Sequence, residues 1–348
     1  MATFYNVHIK EVKQETADAV SVVFEIPENL KAEFTFSAGQ YITLQKEIKN
    51  SLVRRAYSIC STPNSGEIRV AIKAVKDGVF STYATTHLKV GETIEIAAPE
   101  GRFLLNPEAN KNYIAFAAGS GITPILSILK TVLETELTAT FTLVYGNKTV
   151  ADTLFFEELN SLKETYPDRF NLHYIYSREV VKNGLRGRID ENVTNYFVKN
   201  RYQETTFDAA FLCGPEAMIK EASKTLEKNN IAKENIYFEL FTATVNEGKS
   251  DQVKEGVTEI TVLLDDEETT FSMPQTDDIL AASLRHSLDA PYSCQGGVCS
   301  SCLCRVTEGK AVMVKNAILT DTEVAEGLVL ACQAYPTTAT VTIDFDDV

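Results

Sequence analysis

The chain has 348 residues, 44% of them hydrophobic and 23% charged, with a formal net charge of −15. This is a globular composition with room for two or three domains, and its acidity sets nucleic acid aside as a partner because phosphate backbones would be repelled. No run approaches the roughly 18 apolar residues of a membrane span, and the opening MATFYNVHIKEVKQET alternates and carries charge, unlike a secretory leader, so a cytoplasmic protein with no membrane partner is expected.

Residues 1–106 read as short alternating strands at 5–12, 19–25, 40–44, 54–60, 68–75 and 93–98, with turn residues such as Pro63-Asn64-Ser65-Gly66 between them. That pattern predicts a small antiparallel β-barrel. Arg55-Ala56-Tyr57-Ser58 falls within one strand, and Ile72-Lys73 and Gly78-Val79-Phe80-Ser81 follow it in order. Alone, each of these is an ordinary strand aromatic, surface charge or turn. Gly78 and Ser81 are expected to open a helix over STYATTHL.

From 107 to 245 buried strands alternate with helical stretches, beginning at Tyr113-Ile114-Ala115-Phe116 and continuing at 139–145, 171–177, 208–213 and 236–241. Such alternation marks an α/β domain with a parallel sheet. Gly119-Ser120-Gly121-Ile122-Thr123-Pro124 lies between the first strand and the amphipathic run ILSILKTVL. A glycine turn there lets a pyrophosphate approach closely and offers it helix N-terminal amides, although the spacing is not GxGxxG. Cys213-Gly214-Pro215 and Ser177-Arg178 each end a strand, where open parallel sheets bind ligands.

Residues 242–256 are polar and charged and read as a linker. A smaller α+β domain is expected over 257–348, with strands at 258–264, 269–273, 303–307 and 338–345 and a helix near 279–286. It is strongly acidic: from residue 246 onward there are 18 Asp and Glu against 6 Lys and Arg. Four of the seven cysteines crowd into residues 294–304 of a chain read as cytoplasmic, which argues for metal ligation over disulfides. The spacing Cys294-x4-Cys299-x2-Cys302, with Cys332 after 29 further residues, is the plant-type 2Fe-2S arrangement. Gly296 and Gly297 relieve crowding in the loop and let backbone N–H groups turn toward cluster sulfurs. Structural zinc is the competing reading, but zinc sites usually pair two short Cys units, and here one half is a lone cysteine. Cys304 and Cys60 read as small buried side chains.

The segments PYSCQGGVCSSCLCRVTEG and VLACQAYP resemble the cluster loop and fourth-ligand segment of plant-type ferredoxin domains, implying a β-grasp fold. The preceding motifs, taken in order, resemble the ferredoxin-NADP reductase superfamily. The resemblance implies that Arg55, Tyr57, Ser58, Ile72, Lys73, Gly78 and Ser81 hold a flavin, FAD in preference to FMN. The arginine would bind phosphate by charge, the tyrosine would stack on the ring, and the serine hydroxyl would lie near N5. It implies a nucleotide loop at Gly119, Gly121, Thr123 and Pro124, with Cys213 and Gly214 against the nicotinamide. Glu239 and Phe241 would lie beside the flavin, although Phe241 reads equally as core packing. Ser58, Cys213 and Glu239 form the expected catalytic set.

Ser177 and Arg178 suit the 2′-phosphate of NADPH, with Arg186 or Arg188 as helpers, while the neighbouring Glu179 keeps NADH open. The domain order resembles reductase components of bacterial multicomponent oxygenases, and among them the phenylacetyl-CoA epoxidase type. The implied function is electron supply to an oxygenase component protein. The alternatives are a reductase of a Rieske oxygenase or demethylase, and a redox-sensing electron carrier. The four histidines, His8, His87, His173 and His286, are scattered and read as surface or packing residues, so nothing points to hydrolysis.

Overall fold

A computed structural model of the chain describes residues 3–182, 184–241, 253 and 255–348, so most of the predicted linker lies outside the described residues. The chain divides into two compact units, Phe4–Phe241 and a C-terminal unit ending at Val348. No helix among the described residues is long and apolar enough to cross a membrane.

In β1 (Phe4–Thr16) Val7 and Ile9 are buried while His8 and Lys10 face water, the two-residue period of a strand with one covered face. With β2 (Ala19–Glu25), β3 (Tyr41–Ile48), β4 (Ser51–Ser58), β5 (Ile68–Lys73) and β6 (Thr93–Ala97) it forms an antiparallel sheet in the order β4-β3-β6-β1-β2-β5. A bridge between Ile59 and Val70, with the Cys60 N–H on the Arg69 carbonyl at 2.8 Å, joins the outer strands and closes the barrel. Val20, Val22 and Phe24 of β2 point into the barrel core. Ala19 and, on β5, Ala71 face the other way, into a core shared with the next domain. This is why β2 is buried almost throughout instead of alternating. The helix α1 (Val79–His87) starts directly after Gly78.

The second sheet is parallel: β7 (Asn112–Ala118), β8 (Thr140–Asn147), β9 (Phe170–Tyr176), β10 (Leu185–Arg186), β11 (Ala209–Cys213) and β12 (Ile236–Glu239), in the order β10-β9-β8-β7-β11-β12. The helices α2 (Ile122–Thr135), α3 (Phe156–Thr165), α4 (Glu191–Asn195) and α5 (Glu216–Lys228) lie between strands in sequence. Strand order reverses at β7, so the crevice beyond its C-terminal end is the topological switch point where such sheets bind ligands. The strand expected to reach residue 241 stops at Glu239, because its partner β11 ends opposite it at Cys213. Phe241 is consequently left 38% exposed, which overturns core packing as its role.

In the C-terminal unit β13 (Val257–Leu264), β14 (Glu267–Pro274), β15 (Leu303–Glu308), β17 (Leu328–Leu330) and β19 (Thr340–Asp344) form a mixed sheet in the order β14-β13-β19-β15-β17, with β13 and β19 parallel. Thr258, Ile260 and Val262 point inward, and Ile279, Leu280 and Ala282 of α6 (Ile279–Arg285) join their core, giving a β-grasp arrangement. A small ribbon pairs β16 (Ala311–Met313) with β18 (Ala334–Pro336), and α7 (Asp321–Ala325) is a single capped turn.

Candidate active site and cluster loop

The switch point sets two of the predicted residues, Cys213 and Glu239, in one row with Ala117. Ala117, Cys213 and Glu239 are register partners across β7, β11 and β12. The glycine turn Gly119–Gly121 follows β7 and leads into α2. Gly121 packs so closely on β11 that a Cβ there would sit 2.2 Å from the Cys213 carbonyl oxygen, whereas the left-handed Gly119 (φ +56°) faces open space. The turn therefore presents its backbone to anything in the crevice, as a pyrophosphate site requires. Thr123 is buried and donates to the Ser120 carbonyl at 3.0 Å, and Pro124 is buried in the first turn of α2. Tyr145 carries no motif of its own, yet its buried hydroxyl donates to the Gly119 carbonyl at 2.9 Å and braces the turn from below.

The barrel supplies the fourth member of the group. Ser58, at the end of β4, donates to Glu239 Oε2 at 2.9 Å. Burial pushes the Glu239 carboxyl up to about 7, and the Ser58 hydrogen bond offsets part of that. Burial also raises the Cys213 thiol, and the neighbouring Glu239 adds to the effect. Cys213 is thus a neutral thiol, suited to contact and orientation instead of nucleophilic attack. Ser58, Cys213 and Glu239 meet at one place.

Other predicted flavin residues sit on the same barrel wall. Tyr57 is half-buried with its ring 5.7 Å from Phe80 of α1. Arg55 is exposed, and its guanidinium donates to the Arg54 carbonyl at 2.6 Å, which leaves its charge for an anion. Ser81 Oγ accepts from the Val75 N–H at 3.3 Å beside Gly78, fixing the start of α1. Ile72 is fully buried in the barrel core, and Lys73 pairs with Asp18 at 3.4 Å.

At the other end of the crevice Ser177 donates from its N–H to the Asn147 carbonyl at 3.0 Å, and the Arg178 N–H bonds the Lys148 carbonyl at 2.9 Å. Arg178 is exposed. Register pairing of Arg186 with Tyr176 brings a second arginine to the same strand end, and Arg188 follows, exposed, two residues on. The Glu179 carboxylate is engaged elsewhere: it accepts the Val150 N–H at 2.8 Å.

The four predicted ligands converge within the C-terminal unit. Cys299 Sγ lies 3.0 Å from Cys294 Sγ, and Cys332 is within hydrogen-bonding reach of Cys294 and Cys302. The Ala331 N–H on the Cys302 carbonyl at 2.9 Å brings the distant ligand to the loop. Hydrogen bonds from Cys299 and Cys332 hold the Cys294 thiol well below its usual range, and the same contacts raise the Cys299 and Cys332 thiols. The Gly296 N–H donates to Cys294 Sγ at 3.3 Å. Gly297 is left-handed (φ +68°), and a Cβ there would meet the Lys315 carbonyl oxygen at 2.9 Å. Beside Cys294 the Ser293 hydroxyl is buried without a partner, a polar group left over for a bound acceptor. Among the described residues no His, Cys, Asp and Glu group is set around a single metal ion, so the fit rests on the tetrathiolate set, which suits iron–sulfur chemistry. Cys304 and Cys60 are fully buried.

The oxidoreductase FAD-binding domain family matches residues 6–104, the oxidoreductase NAD-binding domain family residues 116–224, and the 2Fe-2S iron-sulfur cluster binding domain family residues 262–337. A component of the 1,2-phenylacetyl-CoA epoxidase of Escherichia coli is 39% identical over 99% of both chains. The chain belongs to the family of oxygenase reductase components.

This reductase is an oxidoreductase with FAD, a nicotinamide nucleotide and a 2Fe-2S cluster as cofactors, which decides FAD over FMN and the cluster over zinc. The ferredoxin reductase component of 3-ketosteroid-9-alpha-monooxygenase from Rhodococcus rhodochrous is 31% identical, with 97% of this chain and 95% of that one aligned. In fold the reductase matches phthalate dioxygenase reductase, at a TM-score of 0.63 over 98% of both chains and 23% identity. Two of its histidines make ring or hydroxyl contacts, His173 with the Tyr202 hydroxyl at 2.7 Å and His286 stacked on Phe271 with centroids 4.0 Å apart, while His8 and His87 lie exposed.

Proposed function

We propose that this reductase oxidises NADPH at the crevice beyond β7 and passes electrons singly to an oxygenase of the phenylacetyl-CoA epoxidase type. The observation that carries the reading is the meeting of Ser58, Cys213 and Glu239 at the switch point, in a chain aligned end to end with a phenylacetyl-CoA epoxidase component. Bound FAD would supply the conversion of a hydride into single electrons, and the cluster their exit. Arg55 and the start of α1 would hold the flavin phosphates, with Tyr57 against the ring and Phe241 beside it. Gly119, Gly121, Thr123 and Pro124 would hold the nucleotide pyrophosphate, and Cys213 and Gly214 would orient the nicotinamide. Glu239, protonated below about pH 7, would there keep negative charge away from the reacting atoms while Ser58 fixes its position. Cys294, Cys299, Cys302 and Cys332 would ligate the cluster.

The engagement of Glu179 by the Val150 N–H supports NADPH. An acid able to bind ribose hydroxyls is spent on the backbone, and the exposed Arg178 and Arg186 remain for a 2′-phosphate. Initial rates with the two nucleotides test this: kcat/KM should favour NADPH, and Arg178→Ala should erase most of the preference while sparing NADH. Equal use of both nucleotides by the unaltered protein would overturn it. The partner is tested by adding the reductase to a purified phenylacetyl-CoA epoxidase oxygenase component and measuring oxygenation of phenylacetyl-CoA. Turnover supports the proposal, and turnover only with a steroid monooxygenase component would move it toward the second group of relatives.

A further inference from the structure

We propose that a seam through the buried Ser127 and Ser61 and the half-buried Arg69, Glu158 and Lys130 positions the nucleotide loop against the flavin strand for hydride transfer. All of it lies within the Phe4–Phe241 unit. The inference rests on the hydride-transfer reading above and adds residues that no motif marks.

The first tie joins α2 to the segment that leaves β4. Ser127 is fully buried and donates its hydroxyl hydrogen to the Ser61 carbonyl at 2.7 Å. Ser61 is three residues beyond Ser58, which bonds Glu239. Ser127 sits one helical turn past Thr123, on the helix that grows out of Gly119–Gly121. One hydrogen bond therefore links the body carrying the nucleotide loop to the short run carrying Ser58.

The second tie reaches the same run from the opposite side. The Cys60 N–H and thiol both donate to the Arg69 carbonyl, at 2.8 Å and 3.2 Å, and the Arg69 N–H donates to Ser61 Oγ at 3.1 Å. The Arg69 guanidinium crosses to α3, donating to both Glu158 oxygens at 2.9 Å and 2.7 Å, and Lys130 of α2 donates to the same carboxylate at 2.9 Å. Burial opposes ionisation of Glu158, but Arg69 and Lys130 outweigh it and hold the carboxyl below its usual range. Arg69 also lies over the Phe155 ring at 5.1 Å, and Phe155 is a buried, bulky residue in the left-handed region (φ +57°). Such a conformation persists only where the surroundings over-determine it.

These contacts tie the run from Ser58 to Ser61 and the neighbouring β5 to α2, the helix of the nucleotide loop, and to α3. Hydride transfer is steeply sensitive to placement, a 1 Å error costing on the order of 100-fold. A seam of this kind is therefore expected to show in the rate before it shows in binding.

The test uses the holoprotein with Ser127→Ala and, separately, Glu158→Gln. Rapid-mixing absorbance gives the rate of flavin reduction at saturating NADPH and the long-wavelength charge-transfer band that reports nicotinamide packed on flavin. Calorimetry gives the NADP+ Kd, and thermal melting and flavin content report the fold. The expected result is reduction roughly tenfold slower with a weaker band, while Kd and flavin content stay within about twofold. A lower melting temperature with unchanged rate and band would overturn the proposal by making the seam purely structural. If Glu158→Gln does not fold, Ser127→Ala decides alone. Failure of NADPH to reduce the flavin in the unaltered protein would sink the hydride reading itself, whereas normal reduction there beside unaffected variants would sink only the seam.

Discussion

Ser58 and Glu239 are 181 residues apart in sequence, and a 2.9 Å hydrogen bond joins them, tying the last residue of a barrel strand to the last residue of the parallel sheet. Burial holds the Glu239 proton up to about pH 7. Once ionised, the carboxylate would place negative charge where electrons arrive, in a medium that screens poorly. Flavin reduction by NADPH should therefore slow as pH rises through about 7, and Glu239→Gln should remove that inflection. Rapid-mixing rates between about pH 6 and about pH 9 check this, and a glutamine variant that keeps the inflection would assign it to another group.

The same proton has a consequence for stability. The folded value of about 7 lies above the ordinary 4.5, so the native state binds the proton more tightly than the unfolded chain does. The stabilisation is complete below about 4.5 and is lost as pH rises through about 7. The denaturation midpoint of the unaltered protein minus that of Glu239→Gln should fall across this window. A difference that stays level would show that the carboxyl titrates normally.

The nucleotide turn offers a steric prediction. A methyl group at Gly121 would lie 2.2 Å from the Cys213 carbonyl oxygen, and what it meets is the Cys213–Gly214 backbone, which cannot swing aside as a side chain could. Gly121→Ala should weaken NADP+ binding by more than tenfold, roughly 1.4 kcal/mol, while flavin content stays full. Tyr145→Phe removes only the hydroxyl that braces Gly119 and should cost about 1 kcal/mol in stability with a smaller loss of affinity. Calorimetric titration ranks the two, and the reverse order would mean that the close approach is not what shapes the turn.

Much of this was legible in the sequence because the signals are periodic or local. Alternation at Val7 and Ile9 marks β1, and the cysteine spacing marks the cluster loop. Strands of two or three residues such as β10, β16, β17 and β18 are too short to show a period, so they escape. The bounds of β2 are legible at 19–25 but its near-continuous burial is not, since that depends on the neighbouring core into which Ala19 packs. Glu179 shows the limit at the site: its sequence position suggests a ribose ligand, and only the fold reveals the Val150 N–H that engages it. The Ser127 and Arg69 contacts carry no motif, because a hydrogen bond to a carbonyl imposes no spacing.

The two cysteines flanking Leu303 separate ligation from packing. Cys302 is 1% exposed and lies with the other three ligands, whereas Cys304 is fully buried on β15 opposite Val329, its thiol raised first by burial. Iron–sulfur clusters need soft thiolates, so Cys302→Ser should abolish bound iron and acid-labile sulfide. Flavin reduction, whose residues all lie in the Phe4–Phe241 unit, should keep its rate in that variant, while single-electron delivery to an acceptor protein is lost. Cys304→Ala should retain full iron and lose only about 1 kcal/mol of stability, the cost of a small cavity in the core. Iron analysis and the visible spectrum decide between the two. Iron retained without the Cys302 thiol, or lost without that of Cys304, would mean that the ligand set is not Cys294, Cys299, Cys302 and Cys332.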